Sequence, residues 1–413
     1  MIRRFSRDGP VAVVGAVSGA HTLSHLYLLA YPPLFPILAR HFDVTVAQLG
    51  LLVTAIYVPQ LLLQLPIGVV VDRIGAKRVL VGGLLLTSLT IGLSGFAPTY
   101  TVLLACAFVS GIGQSVFHPA DYALLDAVTE VHTEGKAFSV HTFGGYAGFA
   151  AAPAVIGGIA IAIDWRVALI AAGSLGVVYA LLLAIVTPPV YARTLGERTA
   201  RDTPEIGNSI REMAAYVRQW DLLAVAIFYL VTMTALVGLQ SFTTVLAVDS
   251  YGFDESLANT LLTAHLAATA VGVLVGGPLA DRLPYRGVII ATFLLAAGGV
   301  AVASGLGSSA SFVGPLVVFV LVGLVFGTAL PSRDKLANNT GDPESTAARF
   351  GFFFTGLSLG AVISPALLGW VIDVSSAVVA FWLIGVGLVL AAGMILVIRA
   401  MDGVVVVSPS RGD

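Results

Sequence analysis

Gly68-Val69-Val70-Val71-Asp72-Arg73-Ile74-Gly75-Ala76-Lys77-Arg78 has a near copy later in the chain, Gly277-Pro278-Leu279-Ala280-Asp281-Arg282-Leu283-Pro284-Tyr285-Arg286. Each stretch closes an apolar run and sets a glycine four positions before an Asp-Arg pair, with more basic charge just beyond. A glycine lets two helix ends approach closely. The carboxylate can cap the N-terminus of a neighbouring helix, and the basic residues hold their end in water. Such contacts form only when the surfaces carrying them come together.

Around these loops the chain is almost uniformly apolar. Its 413 residues are 57% hydrophobic and 11% charged, with mean hydropathy +0.95, whereas a soluble domain carries roughly 25% charged residues. Too few charges remain to cover a water-exposed surface. Apolar runs of about 20 residues, each long enough to cross hydrocarbon as a helix, are expected at 11–31, 47–70, 78–97, 100–123, 137–161, 166–187, 221–247, 256–279, 287–306, 312–332, 350–372 and 376–399. The predicted class is an all-α integral membrane protein with about twelve spans. Arg3, Arg4 and Arg7 followed by an apolar segment ending at Ser18-Gly19-Ala20 imitate a signal peptide. The apolar character continues to Tyr31, so a retained first span is the better reading.

Charge supplies the orientation. With the N-terminus inside, only Arg40 and Arg166 of the 21 basic residues fall outside, leaving 19 on the inner side. Lys and Arg accumulate on cytoplasmic loops, so both termini are expected in the cytoplasm of a plasma-membrane protein. Net charge of -2 and the lack of a basic patch exclude nucleic acid as a partner. The single cysteine, Cys106, excludes an internal disulfide, and no Cys/His spacing suggests zinc, so no metal and no cofactor is expected. The expected partners are the bilayer, a small-molecule substrate and protons, with the chain acting as a monomer.

Residues 188–220 carry five arginines among acids and follow Pro188-Pro189, which marks a cytoplasmic linker between a 1–187 bundle and a 221–413 bundle. A repeat supports that division. Gly144, Gly148, Pro153 and Gly157 recur 212 positions later as Gly356, Gly360, Pro365 and Gly369. With 45 glycines and 19 prolines in the chain, chance gives such a match at one chosen offset less than about once in ten thousand trials. Small residues every fourth position allow close helix packing in lipid, and their shared spacing is what duplicated halves of a transporter would carry.

With both Asp-Arg loops placed at the same point of two halves, the chain resembles the major facilitator superfamily. The first loop meets every position of that family's signature; the second has Pro284 where the glycine would stand. The resemblance implies two pseudo-symmetric six-helix bundles and assigns Gly68, Asp72, Arg73, Arg78, Asp281 and Arg282 to a conformational latch. Within the superfamily the chain is similar to the fosmidomycin-resistance branch of exporters. That likeness rests on Gly111-Ile112-Gly113-Gln114-Ser115-Val116-Phe117-His118-Pro119, on the His21 to Tyr31 stretch, and on Pro331-Ser332-Arg333-Asp334. Three departures stand out. Ala120 separates His118-Pro119 from Asp121, Ala107 occupies the place of the fourth-helix arginine, and three residues rather than two separate Pro153 from Gly157-Gly158. A proton-coupling role tied to that arginine therefore does not transfer.

Ionisable groups deep in hydrocarbon are functional by default. His21 and His25 lie one turn apart near mid-membrane and share a face, and His265 sits at similar depth in the eighth span. These three, with Tyr31, Tyr57, Gln114 and Gln240, are the candidate substrate contacts. Proton exchange on the His21/His25 face is expected to modulate transport. A second group, His118, Asp121, His141, Arg333 and Asp334, is expected at the cytoplasmic ends as an inner gate or proton-coupling set. Asp121 and Arg333 correspond under the 212 displacement and would pair across the halves. No acid is expected at mid-membrane depth, which favours a neutral or anionic solute. The expected function is alternating-access efflux of a drug or metabolite. Uptake of an organic acid or sugar is the alternative, and a receptor or scaffold is the alternative of another class. No paired acids, nucleophile with base, or facing metal ligands point to an enzyme.

Overall fold

The computed structural model describes residues 9–187, 215–341 and 346–405. No strand occurs among them, and twelve helices are long and apolar enough to span a membrane. The first six are Pro10–Phe42, Val46–Leu63, Ala76–Ser94, Tyr100–Val128, Gly135–Ala162 and Trp165–Val186. The other six are Trp220–Asp249, Glu255–Arg282, Tyr285–Gly305, Val313–Asn338, Arg349–Val374 and Ala377–Ile398. They form two six-helix bundles. Of the expected linker, residues 188–214 lie outside the described residues, as do Arg3, Arg4 and Arg7.

Local chemistry sets several ends. Thr45 and Gln48 form a capping box at the start of the second span, while Asp254 caps the eighth through the Leu257 N–H. The first span runs eleven residues beyond its expected end at Tyr31 (42 − 31): after a 3-10 turn at Pro32–Leu34 the helix resumes as Phe35–Phe42. Prolines at the start of a turn lose no hydrogen bond, because the first N–H groups of a helix have no internal acceptor anyway. The fourth span is broken. One helix ends at Gln114, a second starts at Phe117, and the span reaches Val128 rather than 123. At about 1.5 Å per residue this moves Asp121 roughly 7 Å further from the span's end than the sequence suggested.

The repeated glycines do the same job in each half. A Cβ on Gly148 of the fifth span would lie 2.1 Å from the Thr22 carbonyl oxygen of the first, and one on Gly360 of the eleventh 2.4 Å from the Leu230 oxygen of the seventh. Gly144 and Gly356 repeat the arrangement one turn earlier, against Ser18 and Ala226. Gly157 and Gly369, by contrast, reach into the opposite half. Gly157 meets Asn259 of the eighth span, and Gly369 meets Val46 and Ala47 of the second. A two-fold relation between the bundles follows from these contacts. The fifth span also carries a π turn at Pro153–Gly157, whereas the eleventh runs through Pro365 as α-helix.

The end of the molecule where the sixth span finishes and the seventh begins is called here the linker face, and the opposite end the distal face. Arg40 and Arg166 both lie at the distal face, Arg40 paired with Glu255 at 2.5 Å and Arg166 3.1 Å from His41 Nε2.

Candidate functional site

Three spans of the first half bring four imidazoles and a carboxylate together. His21 and His25 come from the first span, His118 and Asp121 from the fourth, and His141 from the fifth. His21 Nδ1 lies 3.2 Å from Asp121 Oδ2, and His141 Nε2 lies 3.7 Å from the same oxygen. The His21 and His141 rings stack with centroids 3.8 Å apart, His25 stands 4.3 Å from His21, and His118 5.4 Å from it. Gly145 makes room for this, since a Cβ there would sit 2.8 Å from His25 Cε1 and 2.9 Å from His21 Nε2.

Burial is nearly complete at the centre: Asp121 is 0% exposed, His141 1% and His21 4%. Yet His21 Nδ1, both Asp121 oxygens and both His141 nitrogens have no hydrogen bond among the described residues. Each such buried atom costs roughly 1–3 kcal/mol, so a cluster of them demands an explanation. His118 and Tyr122, on the same helix as Asp121, are exposed. Tyr122 lies within 5.9 Å of the His141 ring and within electrostatic reach of Asp334 in the other half.

These positions correct the sequence reading twice. His21 was expected at mid-membrane and Asp121 at the cytoplasmic end, but the two touch, so an acid does lie beside the mid-membrane histidines. The broken, longer fourth span is the reason. The expected pairing of Asp121 with Arg333 is not made in this conformation. Arg333 instead bonds its neighbour, with Nε at 2.9 Å and Nη2 at 2.8 Å from Asp334 Oδ1, and its guanidinium lies 4.8 Å over the Tyr229 ring. The Tyr229 hydroxyl donates to the same oxygen at 3.1 Å. Tyr146 of the fifth span is within electrostatic reach of this group.

The remaining candidates scatter. Gln114 is tied to the first span, accepting from the Ser24 hydroxyl at 2.6 Å and donating to the Ser24 carbonyl at 2.9 Å. Tyr31 shares a hydrogen bond of 2.7 Å with Ser94. Tyr57 is buried, and Gln240 is buried with neither amide atom bonded among the described residues. His265 lies 3.0 Å from the Phe319 carbonyl of the tenth span through Nδ1, where Gly323 gives it space.

At the latch loops, Arg73, Arg78, Asp281 and Arg282 are exposed. Asp72 makes no hydrogen bond or ion pair among the described residues. Lys77 bonds the Thr187 carbonyl and Lys335 lies 3.5 Å from Asp281, both within their own halves. A Cβ on Gly68 or Gly277 would meet nothing within 4 Å. The helix-capping carboxylate lies instead at the distal face, where Asp373 accepts from the Val46 and Ala47 N–H groups at 2.9 Å each. No local pattern announces that contact, because its partners are more than 320 positions apart.

Comparison with known proteins gives a matching family model, the Major Facilitator Superfamily, over residues 17–258 and 229–411. Among curated proteins, the uncharacterized MFS-type transporter YfnC of Bacillus subtilis is 27% identical over 328 residues, 76% of this chain and 75% of that one. A probable sulfoacetate transporter of Cupriavidus necator, SauU, is 26% identical over 368 residues, 82% and 81% of the two chains. The fosmidomycin resistance protein of Escherichia coli is 25% identical over 378 residues, 88% and 87%. Among solved structures, a bacterial homologue of the human lysosomal transporter Spinster, inward-facing and occupied, superposes with TM-score 0.73 at 16% identity, covering 95% of this chain and 96% of the other.

Proposed function

This chain belongs to the Major Facilitator Superfamily, and from that premise we propose that it exports a small neutral or anionic organic solute by alternating access across the plasma membrane. The termini and the 188–220 linker, which divides a 1–187 bundle from a 221–413 bundle, lie in the cytoplasm. The observation that carries this reading is the unequal closure of the two faces. Polar contacts between the halves gather toward the distal face: Asp373 on Val46 and Ala47, Arg40 with Glu255, Thr244 on the Pro32 carbonyl, Asn259 on the Pro33 carbonyl. The Asp-Arg loops stand apart at the linker face. With the linker in the cytoplasm, where 19 of 21 basic residues fall, this is an inward-open carrier.

Polar groups of both halves lie on the linker side of these contacts, His118, Tyr122 and Tyr146 in one half and Arg333 with Asp334 in the other. Asp121 is fully buried among the imidazoles and Asp334 is bonded to a guanidinium. Among the described residues an organic cation finds no accessible, unpaired carboxylate there, which supports a neutral or anionic solute. The sulfoacetate in the name of one relative is such an anion, and the resistance in the name of another supports export.

Counterflow in proteoliposomes tests the carrier, with solutes preselected from a panel that includes sulfoacetate by their thermal stabilisation of the protein. Transient accumulation of labelled solute above equilibrium is expected. A leak that never exceeds equilibrium would mark a channel instead. Labelling of a cysteine at position 205 in a Cys106→Ala background tests topology, and reaction from outside the cell would overturn it.

A further inference from the structure

We propose that His21, Asp121 and His141 form a binding site for a divalent transition-metal ion of the zinc type, held between the first, fourth and fifth spans. The sequence offered no zinc spacing, because the ligands come from three helices and lie 100 and 20 positions apart (121 − 21, 141 − 121). In the fold, one donor atom from each residue lies within 4.8 Å of the other two, and all three residues are buried.

The two distances to the carboxylate fit an ion. Zinc bound to imidazole nitrogen and carboxylate oxygen at about 2.0–2.1 Å in a tetrahedron sets its ligand atoms about 3.3 Å apart. His21 Nδ1 and His141 Nε2 lie 3.2 and 3.7 Å from Asp121 Oδ2. At those separations a hydrogen bond would be expected, but none of these three atoms makes one. Two imidazole nitrogens thus stand beside one carboxylate oxygen without bonding it. An ion there accounts for buried polar atoms that otherwise lack partners.

Ligand chemistry narrows the class. Two imidazoles and one carboxylate suit zinc, cobalt or nickel, whereas calcium and magnesium take oxygen shells. Three protein ligands leave a fourth position for water or a solute donor, the pattern of sites that exchange what they bind. His25, whose Nδ1 is also unbonded and whose ring stands 4.3 Å from His21, is the nearest further donor. Exposed His118 and Tyr122, on the helix that carries Asp121, give the ion a route in. The site does not depend on the direction or the solute of transport, either of which can fail without touching it.

The test uses the full-length chain in detergent with its affinity tag removed. Zinc chloride binding is measured by equilibrium dialysis, and cobalt chloride binding by visible absorption. We expect one ion per chain, an intense tetrahedral cobalt spectrum, and at least a tenfold loss of affinity in Asp121→Asn and in His141→Gln. His41→Gln, at the distal face, keeps wild-type binding. Retention of full affinity by a folded Asp121→Asn/His141→Gln double variant would overturn the site. If those variants fail to fold, X-ray absorption of the zinc-loaded wild type decides: an imidazole-containing shell supports the site, and a shell of oxygens alone, or no stoichiometric binding, overturns it.

Discussion

The distal and linker faces use the same residue types to opposite effect. At the distal face, a Cβ on Gly50 would lie 2.2 Å from the Pro365 carbonyl oxygen, and Gly369 is pressed against Val46 and Ala47. There a carboxylate, Asp373, caps a helix of the other half. At the linker face, a Cβ on Gly68 or Gly277 would meet nothing within 4 Å, Asp72 is unpaired among the described residues, and Lys335 and Lys77 turn back into their own halves. The difference teaches that the sequence signature marks the face whose glycines and carboxylates are not engaged across the halves, while the distal face is held by residues with no signature. If the Asp-Arg loops are the latch that the family resemblance implies, it is disengaged in this conformation.

Locking the closed face should have the largest effect. Cysteines at 46 and 373 in a Cys106→Ala background should form a disulfide under mild oxidation, abolish counterflow, and restore it on reduction. Full transport by the cross-linked protein would dismiss the distal contacts as a gate. Next, Gly50→Ala places a methyl against backbone that cannot swing aside. It should destabilise the distal-closed state by about 1–3 kcal/mol, read as faster labelling of distal cysteines. Gly68→Ala should leave that labelling unchanged and slow turnover, since its crowding arises only in the opposite state.

Asp373→Asn removes a charge from a helix N-terminus and should cost about 0.5–1 kcal/mol of distal closure, measured by the same labelling. Asp72→Asn should lower turnover with folding and solute affinity intact, and equal effects of the two on labelling would erase the distinction between the faces. Smallest of all, Arg40→Gln breaks a pair whose arginine is 61% exposed, worth under about 1 kcal/mol after screening by water, and should shift labelling barely.

Much of this was legible before the fold. Spans announce themselves because hydrocarbon demands long apolar helices, and the glycine repeat because backbone contact between the fifth and first spans leaves no room for a side chain. The metal-like cluster was split into two sites, since a straight fourth span ending at 123 puts Asp121 at the membrane surface. The turn at Ser115-Val116 and five more residues of helix bring it beside His21. Gln114 and His265 read as solute contacts in the sequence, and the structure gives both of them backbone partners in neighbouring helices. Pairing across the halves, as with Asp373, stayed invisible because no local pattern records which distant helix end a carboxylate will meet.

The Asp373 cap has a kinetic consequence. Every opening of the distal side strips two N–H groups of their acceptor, and water must reach them before the step is complete. Opening speed should then fall when water activity is lowered by an osmolyte excluded from the gate. It should depend little on ionic strength, because a charge in contact with its dipole lies well inside the Debye length of about 8 Å at physiological salt. The Arg40–Glu255 pair, standing in solvent, should weaken as salt rises. Osmotic and salt titrations of the opening rate would separate the two fastenings of one gate without altering a residue.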